Sequence, residues 1–248
     1  MDLALAILVL IVLVAYCAEA VTGFGATVIA LTLAAHLYAI DFLVPVLIVP
    51  NILLSLYIAV RYREKINHYE LWKRILPLAL LGMPIGFALF YLLGTQWLKR
   101  AFGAFVFVYA AIELVRLHAR NRTGSTQPPL TLGKAAAWLI SGGIMHGLYA
   151  TGGPMIVFYS NRVLGDKGSF RSTMSLLWLL LNLALLISHS IGGTLNAHTL
   201  RTSGFLLIPV AAGLVAGEWL HHRISEERFR VLVFVLLIVA GASLTVRG

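Results

Sequence analysis

Eight apolar runs joined by short polar loops cover most of this chain: residues 3–40, 42–60, 71–93, 97–117, 132–163, 172–191, 199–220 and 229–246. A helix needs about 20 apolar residues to cross a bilayer. Six of the runs, 42–60, 71–93, 97–117, 172–191, 199–220 and 229–246, each fit one such helix. Only 12% of the residues are charged, about half the share expected of a soluble domain. The chain therefore reads as an all-α polytopic membrane protein.

The runs 3–40 and 132–163 are different. At about 1.5 Å per residue the first would be well over 50 Å long as one helix, against a hydrocarbon core of about 30 Å. Glycines interrupt both runs, at Thr22-Gly23-Phe24-Gly25 and at Thr151-Gly152-Gly153-Pro154. Glycine breaks a helix, and proline suits the first turn of a new one. Each run is therefore expected to form helix, break, helix. The piece after the second break, up to Val163, is too short to span. Both read as hairpins or broken helices with glycine tips inside the membrane, and two short full spans remain open for the first.

The net charge is +9. The bases sit in loops between spans, so a nucleic-acid partner is not indicated. Segment 61–74 holds Arg61, Arg63, Lys65, Lys73 and Arg74, and segment 116–134 holds Arg116, Arg120, Arg122 and Lys134. Segments 162–171 and 222–230 add Arg162, Lys167, Arg171, Arg223, Arg228 and Arg230. All four loops fall on one face in the expected topology, which leaves Lys99, Arg100, Arg201 and Arg247 for the other. The bias makes the first face cytoplasmic and puts both termini outside. The single cysteine, Cys17, forms no intrachain disulfide and has no zinc-type spacing. The N-terminal run has no basic stretch before it and carries Asp2, so it reads as a retained membrane segment. No cofactor is indicated.

Residues 119–131 are the longest polar stretch and read as a cytoplasmic linker between two membrane repeats, 1–118 and 132–248. In a register of about 127 to 132 residues, Gly25 falls on Gly153, and Asn51 falls near Asn182. Pro77 falls near Pro209, Gly82 and Gly86 on Gly213 and Gly217, and Phe107-Val108 on Phe234-Val235. By the charge-derived topology the first tip enters from outside and the second from the cytoplasm. The expected fold is thus two inverted-topology repeats, each a glycine-broken helix or hairpin followed by three spans, an arrangement found in many secondary transporters.

On Gly23-Phe24-Gly25, Thr151-Gly152-Gly153-Pro154 and Gly82-Met83-Pro84-Ile85-Gly86, the chain resembles the TauE/SafE family of sulfite and sulfonate exporters. Its length, duplication and basic linker also fit, so the resemblance covers nearly the whole chain. It implies a permease of the bacterial inner membrane moving a small sulfur-containing anion, such as sulfite, a sulfonate or a related organic anion. It also implies a homodimer.

The residues supply a site for such a ligand. A helix N-terminus offers free N–H groups and a partial positive charge. Each tip starts a new helix, near Phe24 and near Pro154. If the tips meet at midplane, two N-termini face one cavity and alternate in access. Expected substrate-binding residues are Thr22, Gly23, Phe24, Gly25, Thr27 and Asn51 from the first repeat, and Thr151, Gly152, Gly153, Pro154 and Asn182 from the second. Glu19 and His146, each just before a tip, are candidates for proton or other ion (sodium) coupling, because ionisable groups inside a membrane are expensive to bury. Glu113, Glu218, His36 and His189 lie nearer helix ends and read as interfacial. Trp72, Trp97 and Trp219 fit an aromatic belt, and Trp178 and Tyr149 read as packing residues beside the cavity.

An intramembrane enzyme is not indicated, for no His-Glu-x-x-His, Gly-x-Ser-x-Gly or aspartate pair is present. A channel uses the same broken helices. A cation or metal carrier would need carboxylate oxygens, and only Glu19 is placed for that. A membrane scaffold would not need polar groups at its helix breaks.

Overall fold

A computed structural model describes residues 3–22, 25–123, 130–221 and 226–247. Its regular structure there is helical. The first long run breaks where expected, into α1 (Leu3–Thr22) and α2 (Ala26–Ala34). The second breaks into α7 (Leu132–Tyr149) and α8 (Gly153–Val163). With 9 and 11 residues, α2 and α8 reach about 14 and 16 Å and are half-length helices. The alternative of two full spans for the first run is thereby excluded: α1 is long enough to cross a bilayer and α2 is not.

The single-span runs form α3 (Ile40–Arg61), α6 (Thr95–Thr123), α9 (Lys167–Ile191), α10 (Ala197–His221) and α11 (Glu226–Arg247). The run at 71–93 is compound. A short turn, α4 (His68–Glu70), passes through a π-helical turn at Leu71–Ile75 into α5 (Leu76–Leu92). Among the described residues five helical segments are long and apolar enough to cross a bilayer: Leu3–Ala20, Ile40–Arg61, His68–Leu92, Gly168–Ile191 and Ala197–Gly217. Four of the six expected single spans are in this set, and α6 and α11 cover the other two.

The chain divides into two compact units, and each draws helices from both halves of the sequence. One comprises Met1–Leu43, Leu93–Thr126 and Phe205–Gly248; the other comprises Val44–Leu92 and Gln127–Gly204.

In the second unit, α5 and α7 pack backbone to backbone. Gly82 and Gly86 on α5 and Gly143 and Gly147 on α7 recur at a spacing of four, on one face of each helix. A Cβ at Gly143 would run into the backbone of Ala79, and one at Gly147 would lie 2.6 Å from the Met83 carbonyl oxygen. Small residues let membrane helices approach this closely where the hydrophobic effect gives no drive. In the first unit α6 and α11 meet through Gly103 and Gly241, and α10 lies against α1. A Cβ on Gly213 would sit 2.5 Å from the Leu13 carbonyl oxygen, and one on Gly217 2.5 Å from that of Cys17.

Large apolar side chains also cover the outside: Ile208 and Val215 are each 71% exposed and Val239 65%. Large apolar side chains exposed in such number suit a lipid environment. Trp72, Trp97 and Trp219 are exposed, as an aromatic belt requires.

Candidate functional site

The second tip lies within the second unit, and its geometry is complete. Tyr149 ends α7, and Ala150 turns the chain with a left-handed backbone, φ 54°. Its N–H donates to the His146 carbonyl at 2.8 Å. The turn therefore falls on alanine, not on the glycines expected to make it, and Gly152 has an ordinary φ of −73°. Gly152 serves close approach instead. A Cβ there would meet the Gly142 carbonyl and lie 3.0 Å from the His146 Cβ. Pro154 stands in the first turn of α8, as expected.

The first intrahelical bond of α8 runs from the Ile156 N–H to the Gly152 carbonyl, 3.2 Å. The N–H groups of Gly153 and Met155 precede it and have no intrahelical acceptor. A Cβ built on Gly153 would fit, in ordinary van der Waals contact with Trp178 Cζ2 at 4.0 Å. The Trp178 indole stacks on the His146 imidazole, with centroids 5.6 Å apart and planes inclined by 16°.

Three buried polar atoms on or near these elements have no hydrogen-bond partner among the described residues: Thr151 Oγ1, His146 Nε2 and Asn182 Oδ1. Their residues are 3%, 1% and 2% exposed. Gly152 N–H donates to His146 Nδ1 at 3.4 Å. A neutral imidazole accepting at Nδ1 carries its proton on Nε2, so the orphan at His146 is a donor. Asn182 is within reach of that ring, yet no bond of ordinary geometry joins them. Unsatisfied buried polar groups are costly and uncommon. Of these three, His146 Nε2–H and Asn182 Oδ1 are a donor and an acceptor within reach of each other, and the Thr151 hydroxyl is left at the N-terminus of α8.

The first tip lies in the first unit and is arranged differently. Gly25 precedes α2 with φ +104°, a backbone that favours glycine. Half-buried Glu19, on α1, reaches across the break, and its Oε2 accepts the Ala26 N–H at 2.8 Å. The N-terminus of α2 is therefore already capped by a carboxylate of its own chain, a favourable pairing of charge and helix end. Thr27 is buried in the first turn of α2. Of the other residues expected here, Gly23 and Phe24 lie outside the described residues, and Thr22 is described only as the last backbone position of α1. Asn51 is buried in α3, directly after Pro50, in the same unit as Asn182.

Of the residues expected to be interfacial, Glu113 pairs with Arg116 at 2.8 Å. His36 bonds Ser243 Oγ at 3.3 Å. His189 departs from the expectation. It is 1% exposed, with Nδ1 2.7 Å from Thr194 Oγ1 and Phe90 edge-on at 4.9 Å. The loop after α9 folds back over it, which helix position alone does not reveal. The side chain of Glu218 lies outside the described residues.

Glu70 and Tyr159 are polar features that sequence reasoning missed. Glu70 is 8% exposed and Tyr159 2%, and the Tyr159 hydroxyl donates to Glu70 Oε2 at 2.9 Å. Ser160, next in α8, is fully buried with its Oγ unpartnered.

Among the described residues no three or more His, Cys, Asp or Glu gather to hold a metal ion. Comparison with known proteins gives a family-wide match. The family described as "Sulfite exporter TauE/SafE" matches residues 8–244. A curated relative, the "Probable inner membrane transporter protein TsaS" of Comamonas testosteroni, is 30% identical over 105 residues. That match covers 42% of this chain and 44% of the relative. No solved structure matches.

Proposed function

Since the chain belongs to the sulfite exporter TauE/SafE family, we propose that it is a multi-pass inner-membrane permease. Its substrate is a small sulfur-containing anion such as sulfite, a sulfonate or a related organic anion. The observation that carries this reading is the N-terminus of α8, with the buried, unpartnered Thr151 hydroxyl just before it and His146 bonded to its Gly152 N–H. An oxyanion seated there accepts from the Gly153 and Met155 N–H groups, the Thr151 hydroxyl and His146 Nε2–H. The helix end adds its partial positive charge. Asn182 joins with its amide N–H when the amide is turned over, a rotation that exchanges its oxygen and nitrogen. The site binds negative charge without a buried lysine or arginine, so releasing the anion does not require breaking a buried ion pair.

Transport proceeds by alternating access in an inverted duplication, with both termini on the non-cytoplasmic side. The duplication is supported by recurring contacts: Gly82 and Gly86 seat α5 against α7, and their register partners Gly213 and Gly217 seat α10 against α1. It is supported too by the way each long helix hands a side chain to its own tip. His146 accepts the Gly152 N–H, and Glu19 accepts the Ala26 N–H. Glu19 is thus a tethered anion at the first tip, and its protonation is the natural point of coupling to a proton. A cation carrier built around Glu19 is disfavoured, because its carboxylate already serves a helix N-terminus.

Melting of the purified chain in detergent, with sulfite, methanesulfonate, sulfate, chloride and divalent cations compared, tests the assignment. A ligand bound to the folded state raises the melting temperature. Stabilisation by sulfite or a sulfonate, absent in Thr151→Val, supports the reading. A response only to a metal cation would overturn it.

A further inference from the structure

Among the ion pairs of the second unit, one contains a deeply buried carboxylate that plays no part in the site above. Glu70 sits at the end of α4, next to the π-helical turn that leads into α5. Tyr159 donates to its Oε2 at 2.9 Å, and Arg74, half-exposed, pairs with its Oε1 at 3.1 Å. Asn67 caps the same turn by accepting the Glu70 N–H at 3.0 Å, and its own N–H donates to Thr173 Oγ1 on α9 at 2.9 Å. A carboxylate at the start of an apolar helix is costly to bury and is kept only when fully partnered. Inserted π turns are frequent where a helix must aim a side chain.

Tyr159 belongs to α8, six residues beyond Gly153, or about 9 Å along the helix axis. Being half-length, α8 needs holding at both ends. Its first turn is held against α7 by the close approach of Gly152 to Gly142. Toward its other end, the Tyr159–Glu70 bond joins it to the segment that carries α4.

We propose that Glu70, acting through Tyr159, is a positioning residue for the anion site, fixing α8 lengthwise so that its N-terminal N–H groups stay beside Thr151. The inference rests on the anion reading of the α8 tip. Arg74 balances the charge of Glu70, while the Tyr159 hydroxyl carries the positional information.

Amide exchange of the ligand-free chain in detergent, followed by mass spectrometry, tests this without a substrate. In Tyr159→Phe and Glu70→Ala, exchange within 150–158 is expected to quicken by about tenfold, the loss of one charge-assisted hydrogen bond. Exchange in α7 and α9 is expected to stay at the wild-type rate. Glu70→Gln keeps an acceptor for Tyr159 and is expected to stay near wild type. Inorganic sulfite is then titrated. Its Kd is expected to rise by about tenfold in either of the first two variants, and no further in the double variant. Unchanged exchange at 150–158 in folded Tyr159→Phe overturns the proposal, as does a uniform rise across α7, α8 and α9. If Glu70→Ala does not fold, Tyr159→Phe, which loses one hydroxyl, decides alone. Failure of the wild-type chain to bind sulfite counts against the anion reading and leaves the exchange result to decide this one.

Discussion

Replacing Thr151 by valine separates stability from binding, because the two are expected to move in opposite directions. Valine has nearly the shape of threonine and lacks only the hydroxyl. In the ligand-free protein that hydroxyl is buried and has no partner among the described residues, which costs about 1–3 kcal/mol. Thr151→Val is therefore expected to stabilise the empty protein by about 1 kcal/mol. For a chain of this size that is a rise of about 2–4 °C in melting temperature. With an anion bound at the α8 N-terminus the same hydroxyl becomes a donor to a charged acceptor, worth about 1.5–3 kcal/mol. Its loss should weaken sulfite binding by about 10- to 100-fold. Thr151→Ser keeps the donor and should keep most of the affinity. Differential scanning fluorimetry of the empty protein and calorimetric titration with sulfite read the two quantities. A lower melting temperature with unchanged affinity would refute the reasoning, for it would mean that the hydroxyl is satisfied in the folded chain and idle towards the ligand.

Two glycine substitutions test the backbone account as a pair. Gly25→Ala should destabilise by about 1–3 kcal/mol through strain at φ +104°. Gly204→Ala, in a helix interior with nothing within 4 Å of the new Cβ, should stabilise by about 0.5–1 kcal/mol; both are read as melting shifts. Gly143→Ala forces a Cβ into the Ala79 backbone and should cost at least about 3 kcal/mol, the top of the usual overpacking range, seen as lost folded yield in size-exclusion chromatography. Glu19→Ala removes the acceptor at the Ala26 N–H and should cost about 1 kcal/mol, with Glu19→Gln milder, both followed by melting.

Much of this architecture was legible in the sequence because membrane helices obey few rules. The length of apolar runs located the helices, and Thr22–Gly25 and Thr151–Pro154 located the breaks to within a residue or two. Pro154 announced the start of α8. Less legible was anything set by a partner distant in sequence. That Gly152 is needed for its contact with Gly142, while Ala150 bears the turn, depends on how α7 and α8 pack. His189 reads as a helix-end residue until Thr194 and Phe90 close around it. Glu70 was hidden among the bases of its loop, and only its bond with Tyr159, 89 residues away, reveals it. The capping of α2 by Glu19 was equally out of reach, because a carboxylate seven residues before an N–H finds it only when the chain reverses between them.

Sulfite flux in proteoliposomes tests the central claim most directly. The purified chain is reconstituted, sulfite is placed on one side, and its appearance on the other is followed with and without unlabelled anion in exchange. The account predicts flux that saturates, that is stimulated by counter-anion, and that is lost in Thr151→Val while the protein remains folded. Flux that rises linearly with concentration would contradict the carrier, and unchanged flux in Thr151→Val would contradict the site.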